Sequence, residues 1–158
     1  LNTRSLFSCS LVLVACGGSA PPPTTPPAAS EPASGASASA AQTFPEQART
    51  GQELFGKYCA GCHGAHGNDG KAPPVVGLDK GALPLDPPPG AKLRKSQFKT
   101  VGDVAAFVTK TMPPKAPGSL STDEYYAILA FDLQANGIDL GDKKLDGPLA
   151  DGLEIPRR

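Results

Sequence analysis

The stretch Cys59-Ala60-Gly61-Cys62-His63 constrains this chain more than any other. Two cysteines stand three positions apart, and an imidazole follows at once. Three chemistries use such a pattern: a dithiol redox pair, half of a zinc site, or a double thioether attachment to a porphyrin. Each demands a different fold around it, so the remaining residues decide between them.

The chain has 158 residues, enough for one ordinary domain. Its first third is unlike the rest. Arg4 precedes a short apolar run, Leu6 to Val14, that is far too brief for a bilayer-spanning helix of about 20 residues. The run reads as the core of a signal peptide over residues 1–15. It ends in Leu13-Val14-Ala15-Cys16, which is similar to a bacterial lipobox. That resemblance implies cleavage before Cys16 and a lipid on its sulfur, with Cys9 lost in the signal. Residues 16–43 are almost entirely Gly, Ala, Ser, Pro and Thr. They bury too little apolar surface to offset the entropy of ordering, so a disordered linker is expected.

Past the linker the pattern turns helical. Thr43 and Glu46 have capping-box spacing before a helix from about 45 to 58. Thr100 and Asp103 introduce a second, about 101 to 110, that stops at Met112-Pro113-Pro114. Ser121 and Glu124 cap a third, which ends at Asn136-Gly137. Leu120 and Tyr125 occupy hydrophobic-staple positions at its start. No run alternates as a strand does. A Gly/Pro-rich loop of about thirty residues, 64–95, separates the first two helices. So long a loop is awkward in a compact domain unless a large flat ligand orders it. Residues 44–140 form the expected domain, and the Gly/Asp-rich tail 141–158 is expected to wrap the surface or fray.

This framework sorts the three chemistries. A structural zinc site needs four ligands, and after Cys59 and Cys62 the domain holds only His63 and His66, with no second pair downstream. A thioredoxin-like pair needs flanking strands and a helix N-terminus beneath its first cysteine; here Cys59 follows the end of a helix. Cys-x-x-Cys-His is the attachment signature of a c-type haem. Cys59 and Cys62 reach two vinyl groups on one porphyrin edge, and His63 falls beneath the iron. That attachment is made outside the cytoplasm, which agrees with the signal peptide.

From about Pro45 to Gly137 the sequence resembles class I cytochromes c. Gly51 and Phe55 precede Cys59 by eight and four residues, Phe131 in Ile128-Leu129-Ala130-Phe131 matches the aromatic they pack against, and Pro73-Pro74-Val75-Val76-Gly77 resembles the family's Pro-x-Leu-x-Gly. The resemblance implies an all-α fold of three or more helices around one covalently attached haem c. It implies that the Pro73 carbonyl accepts the hydrogen of the His63 imidazole. It also makes Met112 the sixth iron ligand. Met112 is the chain's only methionine, and it lies on a Pro-rich loop between the haem motif and the last helix. A thioether there would raise the haem potential above that of a bis-His site. His66 is too close to His63 to serve instead and reads as a surface residue. The chain lacks Trp and carries a Pro-rich insert at 83–89, so contacts to the haem propionates are not assigned.

The expectation is therefore a single-electron carrier rather than an enzyme, lipid-anchored through Cys16, exported to the periplasm or cell surface. Its partners would be redox proteins, and it would be a monomer or a subunit of a redox complex. Formal net charge is zero, which gives no sign of nucleic-acid binding. Ten basic residues oppose six acidic ones between Phe44 and Leu120, enough to steer an acidic partner through Lys71, Lys110 and Lys115. The alternatives are a haem subunit or sensor of a larger oxidoreductase, or a peroxidase-like enzyme if Met112 is not a ligand.

Overall fold

The computed structural model describes residues 42–83 and 86–156. The signal sequence, Cys16 and nearly all of the linker lie outside the described residues. Among the described residues five helices follow in order: α1 (Phe44–Tyr58), α2 (Ala60–His63), α3 (Val101–Thr111), α4 (Thr122–Ala135) and α5 (Gly147–Gly152), with a 3-10 turn at Leu78–Lys80. Among the described residues the only β-type pairing is an isolated antiparallel bridge between Thr100 and Glu154. The expected all-α architecture is the observed one.

Each long helix begins where its cap dictates. Glu46 accepts the Thr43 N–H at 2.9 Å, Asp103 accepts the Thr100 N–H at 3.0 Å, and Glu124 accepts the Ser121 N–H at 2.7 Å. These bonds satisfy donors that a helix start leaves unpaired. They also hold all three carboxyls below their usual range, backbone hydrogen bonds being the largest cause. A depressed carboxyl stabilises the fold above its unfolded pKa and loses that contribution as pH falls through the folded one. The caps therefore loosen together in acid.

The largest helix–helix contact is α1 on α4. Gly51 makes it possible, because a Cβ there would overlap the Ala127 carbonyl. One turn on, the rings of Phe55 and Phe131 meet with centroids 5.1 Å apart, as the family resemblance implies. Phe44, Ala48, Val101, Val104, Leu129 and Leu133 join in one core. Each large side chain so buried contributes about 1.5–3 kcal/mol.

The packed unit runs past the boundary expected at 140. Leu145, Ala150 and Ile155 are buried in the same core. Gln47 lies under the tail and exchanges two 2.8 Å hydrogen bonds with the backbone of Leu145, donating to its carbonyl and accepting its N–H. The Val101 N–H donates to Leu153 at 2.9 Å, and the Ile155 N–H to Lys99 at 3.0 Å. The tail thus wraps the surface as a fixed strap. Its sequence signal is Asp146-Gly147-Pro148: Asp146 caps α5 by accepting the Leu149 N–H at 3.0 Å, and proline suits a first helical turn.

Candidate functional site

The C-terminal end of α1 delivers the cysteine motif. The Cys59 N–H closes the helix on Phe55 at 2.8 Å, and the one-turn α2 carries Cys62 and His63 onward, with the His63 N–H on the Cys59 carbonyl at 3.0 Å. Cys59 is half-buried and Cys62 exposed. His63 Nδ1 lies 2.8 Å from the Pro73 carbonyl oxygen. A carbonyl only accepts, so Nδ1 carries the hydrogen and Nε2 keeps its lone pair. His66, expected at the surface, has an 81% exposed side chain facing Asp69 at 3.4 Å.

The long loop is tied down around Pro73. The Ala72 N–H donates to the Cys62 carbonyl at 2.9 Å and the Val75 N–H to Gly67 at 2.8 Å. Asn136, at the end of α4, fastens the far side. Its Oδ1 accepts the N–H groups of Gly77 at 2.8 Å and Leu78 at 3.1 Å, and its Nδ2 donates to the Val75 carbonyl at 2.8 Å. From sequence Asn136 reads only as a helix stop. The backbone partners it binds lie about sixty residues away and leave no local pattern.

His63, Pro73 and Met112 line one cavity of about 270 Å³. Its walls are mainly apolar, with Val75, Phe98, Val104, Phe107 and Val108 prominent. Met112 is the C-cap of α3, its N–H on the Val108 carbonyl at 2.8 Å. The Tyr125 hydroxyl donates to the Met112 carbonyl at 2.6 Å. Tyr125 therefore does more than staple a helix start; it clamps the methionine loop onto α4.

Besides His63, three charged side chains interrupt the walls: Lys92, Arg94 and Asp132. Arg94 is buried, with its guanidinium carbon 3.5 Å from the centre of the Phe98 ring and its Nε donating to the Ser96 carbonyl at 3.0 Å. A buried cation, Arg94, and an exposed one, Lys92, on an apolar wall suit a flat apolar ligand bearing carboxylates. Lys71, Lys110 and Lys115 are exposed but do not line the cavity; Lys92 does, beside Leu93, which is 62% exposed.

The rival chemistries find no support in this geometry. Among the described residues no three His, Cys, Asp or Glu side chains converge, so a four-ligand zinc site lacks its ligand set. Burial above all pushes the Cys59 thiol up to about 12. A redox dithiol requires a thiolate stabilised at neutral pH. Thioether formation removes that requirement, and an imidazole with a fixed tautomer and free Nε2 is the usual state of a metal-binding histidine.

A helical domain built this way around one Cys-x-x-Cys-His motif is a class I c-type cytochrome, with a single covalently bound haem c. Residues 46–131, just over half of the chain, match the family described as cytochrome c oxidase, cbb3-type, subunit III, and the chain belongs to that family. It is also similar to a solved structure, that of the sulfane dehydrogenase SoxCD from Paracoccus pantotrophus. Identity is 28% and the TM-score 0.51, over 73% of this chain. The chain spans 59% of the length of that one. A search of curated proteins finds no match.

Proposed function

We propose that this cytochrome carries single electrons between redox partners while tethered to a membrane outside the cytoplasm. Its haem, when bound, supplies a one-electron couple. Cys59 and Cys62 would anchor the group, His63 Nε2 and Met112 Sδ would bind its iron, and Pro73 fixes the imidazole. Arg94 and Lys92 pair with its carboxylates. The observation that carries this reading is the 2.8 Å contact from His63 Nδ1 to the Pro73 carbonyl, which frees Nε2 on a cavity that Met112 also lines. A thioether on the iron favours the reduced state. With both His63 and Met112 on the iron, the protein would leave no position open there for a small substrate.

Transfer then occurs through the haem edge, and the Lys92–Leu93 segment offers a cation and an exposed apolar side chain for docking. The tether is assigned to a lipid on Cys16, with the domain facing the periplasm or the outer side of the cytoplasmic membrane. The linker up to residue 43, fully extended, would reach on the order of 80 Å. A second reading, a haem subunit docked permanently in a larger oxidoreductase, is favoured by the similarity to a dehydrogenase structure and by the family's oxidase-subunit description.

One experiment tests carrier and tether together. The full chain is produced in a bacterium able to attach haem, and the fractions are stained for covalent haem. The stained band is expected in the membrane fraction. Cys16→Ser should move it to the soluble fraction, still reduced and reoxidised by one electron per chain. A stained wild-type band that is soluble would exclude the anchor. Stable co-purification with a second enzyme would favour the subunit.

A further inference from the structure

Asp132 is the polar exception on the buried side of α4. Its neighbours Ile128, Leu129 and Leu133 are apolar and buried, while Asp132 itself is 5% exposed and lines the haem cavity. Its Oδ1 has no hydrogen-bond partner among the described residues. Its backbone carbonyl serves the helix end by accepting from Asn136, but the fold makes no visible use of the carboxyl. An unpaired carboxylate in apolar surroundings is costly, and such a group neutralises by holding a proton instead.

We propose that Asp132 is a redox-linked proton site, which binds one proton from solvent as the cytochrome gains an electron and releases it on oxidation. The step balances. The partner protein gives one electron to the haem, an O–H bond forms on the Asp132 carboxylate, and the net charge of the cavity stays constant. Added negative charge beside a carboxylate favours its protonated form, and charge removed favours the anion. Low polarity of the walls strengthens this coupling. By linkage, the proton changes the electron affinity by the same factor as the electron changes the proton affinity.

The charged and titratable groups around Asp132 permit this. From α1 there is Cys59, which as a thioether carries no proton. From α2 there is His63, whose Nδ1 hydrogen is held by Pro73. From the loop before α3 come Lys92 and Arg94, which line the same cavity. Burial holds the carboxyl well above its usual range, which moves proton exchange from acid toward neutral pH.

The inference rests on the haem assignment, and the test keeps the two apart. The reduction potential of the wild-type holoprotein is measured from about pH 5 to 9, beside Asp132→Asn and Asp132→Leu. Between the two proton affinities, the wild-type electron affinity should fall by up to tenfold per pH unit, or 59 mV for one electron. Both variants should lose that slope while keeping covalent haem and the wild-type oxidised spectrum. Any slope from groups other than Asp132 is common to all three proteins, so the difference belongs to Asp132. The asparagine keeps the shape and the leucine keeps the apolar packing, so failure of one to fold leaves the other to read. A folded variant that keeps the full wild-type slope, or a wild type with no slope beyond that of the variants, overturns the proposal. A chain without covalent haem overturns the haem assignment and the inference with it.

Discussion

Met112→Ala should open the haem iron. The oxidised variant is expected to lose the weak long-wavelength band of sulfur-to-iron charge transfer, and the reduced variant to bind carbon monoxide readily. Its potential should fall on the order of 0.1 V, well inside the roughly 0.8 V that axial ligands span. The change is confined to the ligand because backbone contacts hold the loop. The Met112 N–H sits on Val108 at 2.8 Å and its carbonyl on the Tyr125 hydroxyl at 2.6 Å, and alanine keeps both. Helix content should therefore be unchanged by circular dichroism. A variant with the wild-type spectrum and no carbon monoxide uptake would remove Met112 from the site.

Gly51→Ala should be the most damaging single methyl in the molecule. On helix propensity alone, alanine would gain up to about 1 kcal/mol over glycine. Here its Cβ would overlap the backbone carbonyl of Ala127, and a backbone atom cannot swing aside as a side-chain tip does. The α1–α4 contact must open, and with it the Phe55–Phe131 pair that leads into the cysteine motif. The expected loss is about 3 kcal/mol or more, the upper end for overpacking. The denaturation midpoint of the holoprotein measures it. Gly56→Ala is the internal control, since a Cβ there meets nothing within 4 Å; it should be neutral or mildly stabilising. Equal effects at the two positions would contradict the role given to Gly51.

The local signals in the sequence carried far. Capping boxes at Thr43, Thr100 and Ser121 mark the starts of α1, α3 and α4, because a cap and its partner are three residues apart and visible side by side. Cys-x-x-Cys-His names its own chemistry for the same reason. What stayed hidden depends on distant partners. Gln47 reads as a surface residue of an amphipathic helix until Leu145, ninety-eight positions on, supplies both of its hydrogen bonds. The strap 141–156 looks like a fraying tail because its hydrophobes are few and widely spaced, yet Leu145 and Ile155 fill the core. Asp132 gives no sign in the sequence, because a charged residue in a helix ordinarily marks its solvent side. Helix α4 is buried on nearly every side, so its sequence lacks the polar stripe that would have placed Asp132. Tyr125 looked like a staple partner, and its clamp on Met112 became visible only when the loop and α4 were side by side.

The central claim is a covalent haem whose axial positions are both filled, by His63 and Met112. The visible spectrum of the wild-type holoprotein, recorded oxidised, reduced, and reduced under carbon monoxide, tests it most directly. The account predicts a low-spin haem that resists extraction, a weak long-wavelength sulfur band when oxidised, and no change on adding carbon monoxide when reduced. A high-spin spectrum, or ready uptake of carbon monoxide, would show an open iron and contradict the carrier assignment.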